Sequence, residues 1–187
     1  GFHLCLMLKR CFEQNGQDNR VIAVSRFSAP GSRNIFENRG IGTIACDLSR
    51  AAELEALPDA ENIWFMAGVK FGTSGNPHLL HKMNIEMPGS VARRFSKARI
   101  TALSTGCVYP FVPVNSGGSQ ETDPAGPVGE YARSCLGRED AFRRVSERSG
   151  LRTVLIRLNY SVEMRYGVLV DIAQKVLERQ PIDVSMG

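Results

Sequence analysis

The groups in this chain whose type and spacing invite chemistry are a phenol, two hydroxyls, a carboxamide, a thiol and one oddly placed cation. Tyr131 lies in the stretch EYARSCLGRE, Glu130 to Glu139, after a loop rich in glycine and proline. At 100° per residue Val128, Tyr131, Cys135, Arg138, Phe142 and Val145 fall on one helical stripe, and such a stripe faces the core. A phenol in the first turn of that helix points inward, where it packs or exchanges a proton, and the pattern alone leaves both open. Arg138 sits within the same apolar stripe, where a charge costs free energy unless it is paired or its arm reaches water. Ser104 and Thr105, in LSTGCVYP, put hydroxyls at the end of a strand-like run, ahead of a loop to residue 127. Long loops inside compact domains are more often functional than idle, although a plain Ser/Thr turn would carry the same residues. Asn84 stands four residues before Pro88, whose missing N–H leaves the Asn84 carbonyl without its helical donor. That geometry suits either a further hydrogen-bond partner or a simple packing kink.

Positioning these groups requires strands that end beside them. Five short β-branched runs, RVIAVS (20–25), IGTIAC (41–46), NIWFMA (62–67), RITALS (99–104) and TVLIR (153–157), predict strands buried on both faces. Helical patterns near 2–14, 49–56, 78–97, 128–149 and 167–179 lie between them, and in 78–97 Leu80, Met83, Met87, Val91 and Phe95 form the apolar stripe. The alternation predicts an α/β fold: a doubly wound parallel sheet with helices on both sides, three layers in a single domain over 1–187. With 187 residues, 43% of them hydrophobic, the chain suffices for one core and is short for two. It has no apolar run of the ~18 residues a membrane span requires. Its N-terminus lacks the basic leader and cleavage site of a signal peptide, so a cytoplasmic protein without a membrane partner is expected. The net charge of +4 is scattered, which suits mild attraction to anionic ligands and not a nucleic-acid surface. Five cysteines without a CxxC pair indicate reduced thiols and no metal site.

In sheets of this kind ligands gather at the carboxyl ends of the strands. Arg26 follows the first run, at a place where an acid commonly holds a ribose hydroxyl; an arginine suits a 2′-phosphate, or is an ordinary surface side chain. Asp47, with Leu48, follows the second run and either accepts from an adenine amino group or caps the next helix. Gly68 follows the third, small enough for a ligand to approach the backbone and equally suited to a turn. Both ends read as cut. The chain is already helical by Leu4 with no strand and glycine turn before it, and QPIDVSMG at 180–187 reads as the start of another strand. The expectation is a domain truncated at both ends, without its first strand and its C-terminal part.

Taken together, LSTGCVYP and YARSCLGRE resemble the SSxxVYG and YxxSKxxxE motifs of the extended short-chain dehydrogenases/reductases, the NAD-dependent epimerase/dehydratase family. VIAVSR, CDL, FMAG, MNIEMPG and IRLNYSV resemble further family segments in the same order, over nearly the whole chain. The resemblance implies a Rossmann-like fold and an NAD(P)-dependent epimerase, dehydratase or reductase acting on a nucleotide-linked sugar or a related hydroxyl or carbonyl compound. Tyr131 would exchange a proton with the substrate oxygen, Thr105 and Ser104 would hold that oxygen, and Asn84 would extend a proton relay through water. Gly1, Ser25, Arg26, Asp47, Leu48, Ala67, Gly68 and Cys135 fall at cofactor-binding positions, with NADP slightly favoured by Arg26. Asn159, Tyr160 and Arg165 fall on the substrate side, and a homodimer through helices 78–97 and 128–149 is implied. Two departures stand out. The family's lysine, four residues after the tyrosine, is Cys135 here, and of the GxxGxxG turn only GFHLC remains. A phenol has a pKa of about 10 and needs a neighbouring cation to act as a base near neutrality. A neutral thiol supplies none. Three readings of Cys135 therefore stand side by side: Arg138 brings the charge, though it lies about 10 Å up the helix axis; the chemistry runs slowly without it; or the domain is a catalytically silent nucleotide-binding sensor or scaffold.

Overall fold

In the computed structural model the described residues are 1–70, 75–159 and 167–182. In chain order they form α1 (Phe2–Gln14), β1 (Ile22–Ser25), α2 (Asn34–Glu37), β2 (Gly42–Ala45), α3 (Ala51–Glu55), β3 (Asn62–Phe65), α4 (Pro77–His81), a π-helical turn (Lys82–Glu86), α5 (Met87–Arg94), β4 (Arg99–Thr105), α6 (Glu130–Ser149), β5 (Arg152–Leu158) and α7 (Val168–Leu177). All five predicted strands form, and all pairings are parallel. Tyr160, Arg165 and most of the strand expected at 180–187 lie outside the described residues.

Two expectations about the sheet are corrected. The strands hydrogen-bond as two sheets, β1–β2 and β3–β4–β5, because no strand among the described residues bridges β1 and β3. Nor are the strands buried on both faces. The packed face of the larger sheet carries Phe65, Ile100 and Ala102 against Met87, Val91 and Phe95 from the α5 region and Phe142 and Val145 of α6. On the opposite face Trp64, Val154, Ile156 and Leu158 are exposed, and α1 and α7 bury no residue. Of the two helical layers expected, the one built by α5 and α6 carries the core.

The α5–α6 layer sets the position of the site. The predicted helix 78–97 forms with its stripe turned inward: Leu80, Met87, Val91 and Phe95 are buried. Its middle is π-helical at Lys82–Glu86, directly ahead of Pro88, where the ring and missing N–H of proline disturb the ordinary ladder. Helix α6 begins after Gly129, ends at Gly150 with φ 72°, and buries Ala132, Ser134, Cys135, Arg138, Glu139, Phe142 and Val145. Val128, placed on this stripe from sequence, lies before the helix and is exposed. The π turn and α6 approach closely at Gly137, where a Cβ would come within 2.6 Å of Ile85 Cδ1.

Candidate active site

Tyr131 occupies the first turn of α6, half-buried at the carboxyl edge of β4. The 3-10 turn Gly106–Val108 that follows β4 packs against α6 and brings Thr105 and Cys107 to the same edge. Thr105 is buried, and its Oγ1 accepts a hydrogen bond from Cys107 N at 3.2 Å, which leaves its hydroxyl proton for another acceptor. Asn159 follows β5, with its Oδ1 3.2 Å from where a Cβ on Gly106 would lie, so the structure joins Tyr131, Thr105 and Asn159 at one strand-end region. Ser104, one residue away, points to the other face. Its Oγ donates to Glu139 Oε1 at 2.5 Å, so this candidate oxygen-holder is already engaged inside the core.

Glu139 is fully buried and closes a structural network. It accepts from Arg157 at 3.0 and 2.9 Å and from Arg143 at 2.6 Å, while Arg157 stacks on Tyr109, its Cζ 4.7 Å from the ring centroid. Burial alone would raise the Glu139 carboxyl. The hydrogen bonds from Arg157 and Ser104, with the charges of Arg157 and Arg143, outweigh burial and hold it below the usual carboxylate range.

Around Tyr131 the electrostatics run the other way. Burial pushes the phenol well above its ordinary value, the adjacent Cys135 thiol adds to this, and the Arg138 guanidinium pulls it down. In this setting the phenol holds its proton. Cys135 is wholly buried, which raises its thiol, with Arg138, Tyr131 and Ser134 opposing. The Cys135 side chain, expected at a cofactor contact, faces its protein neighbours. Lys70, which no sequence pattern signalled, lies with its Nζ 5.4 Å from the Tyr131 ring centroid, within reach of the ring's electron-rich face.

Asn84 is fully buried at the π turn, and its side chain uses its whole hydrogen-bonding capacity. Oδ1 accepts from Val69 N and Arg138 Nη2, each at 2.9 Å; Nδ2 donates to Val69 O and Ser134 Oγ, each at 2.9 Å. Ser134 Oγ donates in turn to Tyr131 O at 2.7 Å. Asn84 thus ties the loop after β3 to the first turn of α6. Arg138, 8% exposed, reaches back to donate to Leu103 O at 3.0 Å as well as to Asn84. Gly68 makes this possible: a Cβ there would lie 2.3 Å from Arg138 Nη2.

The remaining cofactor candidates lie toward β1 and β2. The rings of Phe2 and Phe27 both meet Phe36, with centroids 5.2 and 5.8 Å apart, and so hold the first turn of α1, with Gly1 before it, near the end of β1. Arg26 is exposed at that strand end, and Ser25 Oγ accepts from Phe27 N at 3.4 Å. Asp47 turns the chain into α3: its Oδ1 accepts from Ser49 N at 3.0 Å and Ser49 Oγ at 2.7 Å. These bonds and the charges of Arg26 and Arg50 hold its carboxyl below its ordinary value. Leu48 and Ala67 are half-buried against the core.

The model of the NAD dependent epimerase/dehydratase family matches residues 3–182. A curated relative, dTDP-6-deoxy-L-talose 4-dehydrogenase (NAD(P)(+)) of Kitasatospora kifunensis, is 34% identical over 122 residues, which is 62% of this chain and 38% of the relative. Among solved structures, the Bordetella bronchiseptica enzyme WbmG in complex with NAD and UDP superposes over 97% of this chain and 58% of its own, with TM-score 0.74 and 17% identity. UDP-glucose 4-epimerase of Thermus thermophilus, in complex with NAD, covers 97% of this chain and 61% of its own, with TM-score 0.72 and 21% identity. These likenesses confirm the Rossmann-like α/β fold, and the chain spans 38% to 61% of the length of these relatives. With a family match over nearly its whole length, the chain belongs to the NAD dependent epimerase/dehydratase family.

Proposed function

We propose that this chain is the cofactor-binding part of an NAD(P)-dependent enzyme acting on a nucleotide-linked sugar, with Tyr131 exchanging the proton and Thr105 orienting the substrate oxygen. The observation that carries the reading is the half-buried Tyr131 phenol at the end of β4, held protonated by its surroundings and joined there by Thr105 and Asn159. Nicotinamide, when bound, would supply the hydride acceptor or donor. This chain's own residues do the rest. Gly1 with the first turn of α1, and Ser25 and Arg26, would hold the phosphates and ribose, with Ala67 and Gly68 lining the crevice. Tyr131 would give its proton to a carbonyl oxygen or take one from a hydroxyl. A phenol kept protonated is prepared for the giving direction.

Arg26 favours a 2′-phosphate, so NADP is preferred over NAD in this reading. A homodimer through helices 78–97 and 128–149 is the proposed assembly, checked by sedimentation. No helix among the described residues is long and apolar enough to cross a membrane, and a cytoplasmic location is part of the proposal. The test, on the whole protein that contains this chain, is nicotinamide fluorescence with NADH and NADPH, followed by turnover of a panel of dTDP- and UDP-linked hexoses. Cofactor binding should survive Tyr131→Phe while turnover falls by at least about 10²-fold, the lower end of what general acid–base catalysis contributes. Binding with no turnover by the wild type would favour the silent nucleotide-binding domain, the reading that Cys135 supports.

A further inference from the structure

We propose that Arg138 supplies the positive charge of this site in place of a cation at position 135, and that Gly68 provides the space in which it does so. The proposal rests on the reading of Tyr131 as the proton-exchanging group. Arg138 makes no ion pair among the described residues, although it is 8% exposed. Glu139, the adjoining acid on α6, is taken by Arg157, Arg143 and Ser104. The guanidinium is met by two neutral oxygens, Asn84 Oδ1 and Leu103 O, and its Nε has no hydrogen-bond partner. Hydrogen bonds to neutral dipoles solvate a buried cation without cancelling it, so its field persists in the site.

The separation along α6 does not remove that field from Tyr131. Side chains of a helix lean toward its N-terminus, and Arg138 leans that way, toward the end where Asn84 is bonded to Ser134 and Ser134 to the Tyr131 carbonyl. The charge draws down both the phenol and the Cys135 thiol. Among the described residues, the other groups bearing on the phenol are Cys135 from α6, Cys107 from the turn after β4 and Lys70 from the loop after β3. When the O–H bond of Tyr131 breaks and its proton passes to the substrate oxygen, the phenolate left behind forms in a site that already carries positive charge. Arg138 is thus a positioning residue that acts through Tyr131. A small neutral thiol at 135 belongs to the same arrangement, since a lysine there would set a further cation against Arg138.

Wild type, Cys135→Lys, Arg138→Met and the double variant test this by two readouts. In urea denaturation, Cys135→Lys should lower the midpoint while Arg138 is present and be tolerated in the Arg138→Met background, so that the double variant is more stable than the single effects added together. In turnover of dTDP- and UDP-linked hexoses with NAD or NADP, Arg138→Met should lower kcat at least about tenfold with little change in KM. The double variant should recover kcat. Additive urea midpoints, or a kcat unmoved by Arg138→Met, would overturn the proposal. If the wild type turns over none of the sugars, the proposed function falls, and the urea cycle alone decides the charge placement, coupling supporting it and additivity sinking it.

Discussion

Replacing Gly68 by alanine puts a methyl carbon 2.3 Å from Arg138 Nη2, 3.0 Å from Asn84 Oδ1 and 3.1 Å from Arg138 Cζ. Contacts this short cannot stand, and the guanidinium is the group that yields, because it ends a flexible arm. Moving it breaks the bonds to Asn84 Oδ1 and Leu103 O. Each hydrogen bond to a charged group is worth about 1.5–3 kcal/mol, and water reached by the displaced arm returns part of the two, which leaves a cost of about 3 kcal/mol. Backbone strain does not enter, since Gly68 has no positive φ. The decisive assay is urea denaturation of wild type, Gly68→Ala, Arg138→Met and the double variant at pH 7. With the guanidinium gone the two contacts to Arg138 are removed and the 3.0 Å approach to Asn84 Oδ1 remains, so the same substitution in the Arg138→Met background should cost less than about 1 kcal/mol. An equal cost in both backgrounds would refute the account of Gly68 as the space made for Arg138.

Glu139→Gln should destabilise the fold by about 3–5 kcal/mol at pH 7, because it leaves Arg157 and Arg143 beside a neutral amide. Glu139 is held below its ordinary range when folded, so its contribution is full above the unfolded carboxylate value of about 4.3 and is lost as pH falls through the lower folded value. The wild type should therefore lose stability across that acid window, and Glu139→Gln, followed by denaturant midpoints from pH 7 to 3, should lose less. Gly137→Ala drives a methyl into Ile85 Cδ1 at 2.6 Å and should cost about 1–3 kcal/mol in urea denaturation, largely recovered by Ile85→Ala in the same background. Arg26→Asp should reverse a preference for NADPH over NADH in fluorescence titration; an unchanged ratio would remove Arg26 from phosphate recognition.

What sequence showed and what it concealed divide along a physical line. The strands and the inward stripes of α5 and α6 were legible because apolar periodicity is local. The split into β1–β2 and β3–β4–β5 was not, since pairing joins residues far apart in the chain. Ser104 and Thr105 were legible as a pair of hydroxyls at a strand end, and alternation along a strand sends neighbours to opposite faces. Which of them stays at the open edge depended on the acid waiting at Glu139. Asp47 admitted two roles, and the Ser49 contacts fill its Oδ1. Lys70 carried no signal, because a lysine in a loop looks the same wherever it points. A glycine after β3, an asparagine ahead of Pro88, a cysteine one turn after Tyr131 and an arginine on an apolar stripe were each visible singly. Each broke a local rule, and each admitted a bland explanation taken alone. In the structure Gly68, Asn84 and Arg138 meet at one guanidinium, with Cys135 in its field. Rule-breaking residues that converge in space constrain one another, so a change at any one of them should register at the others.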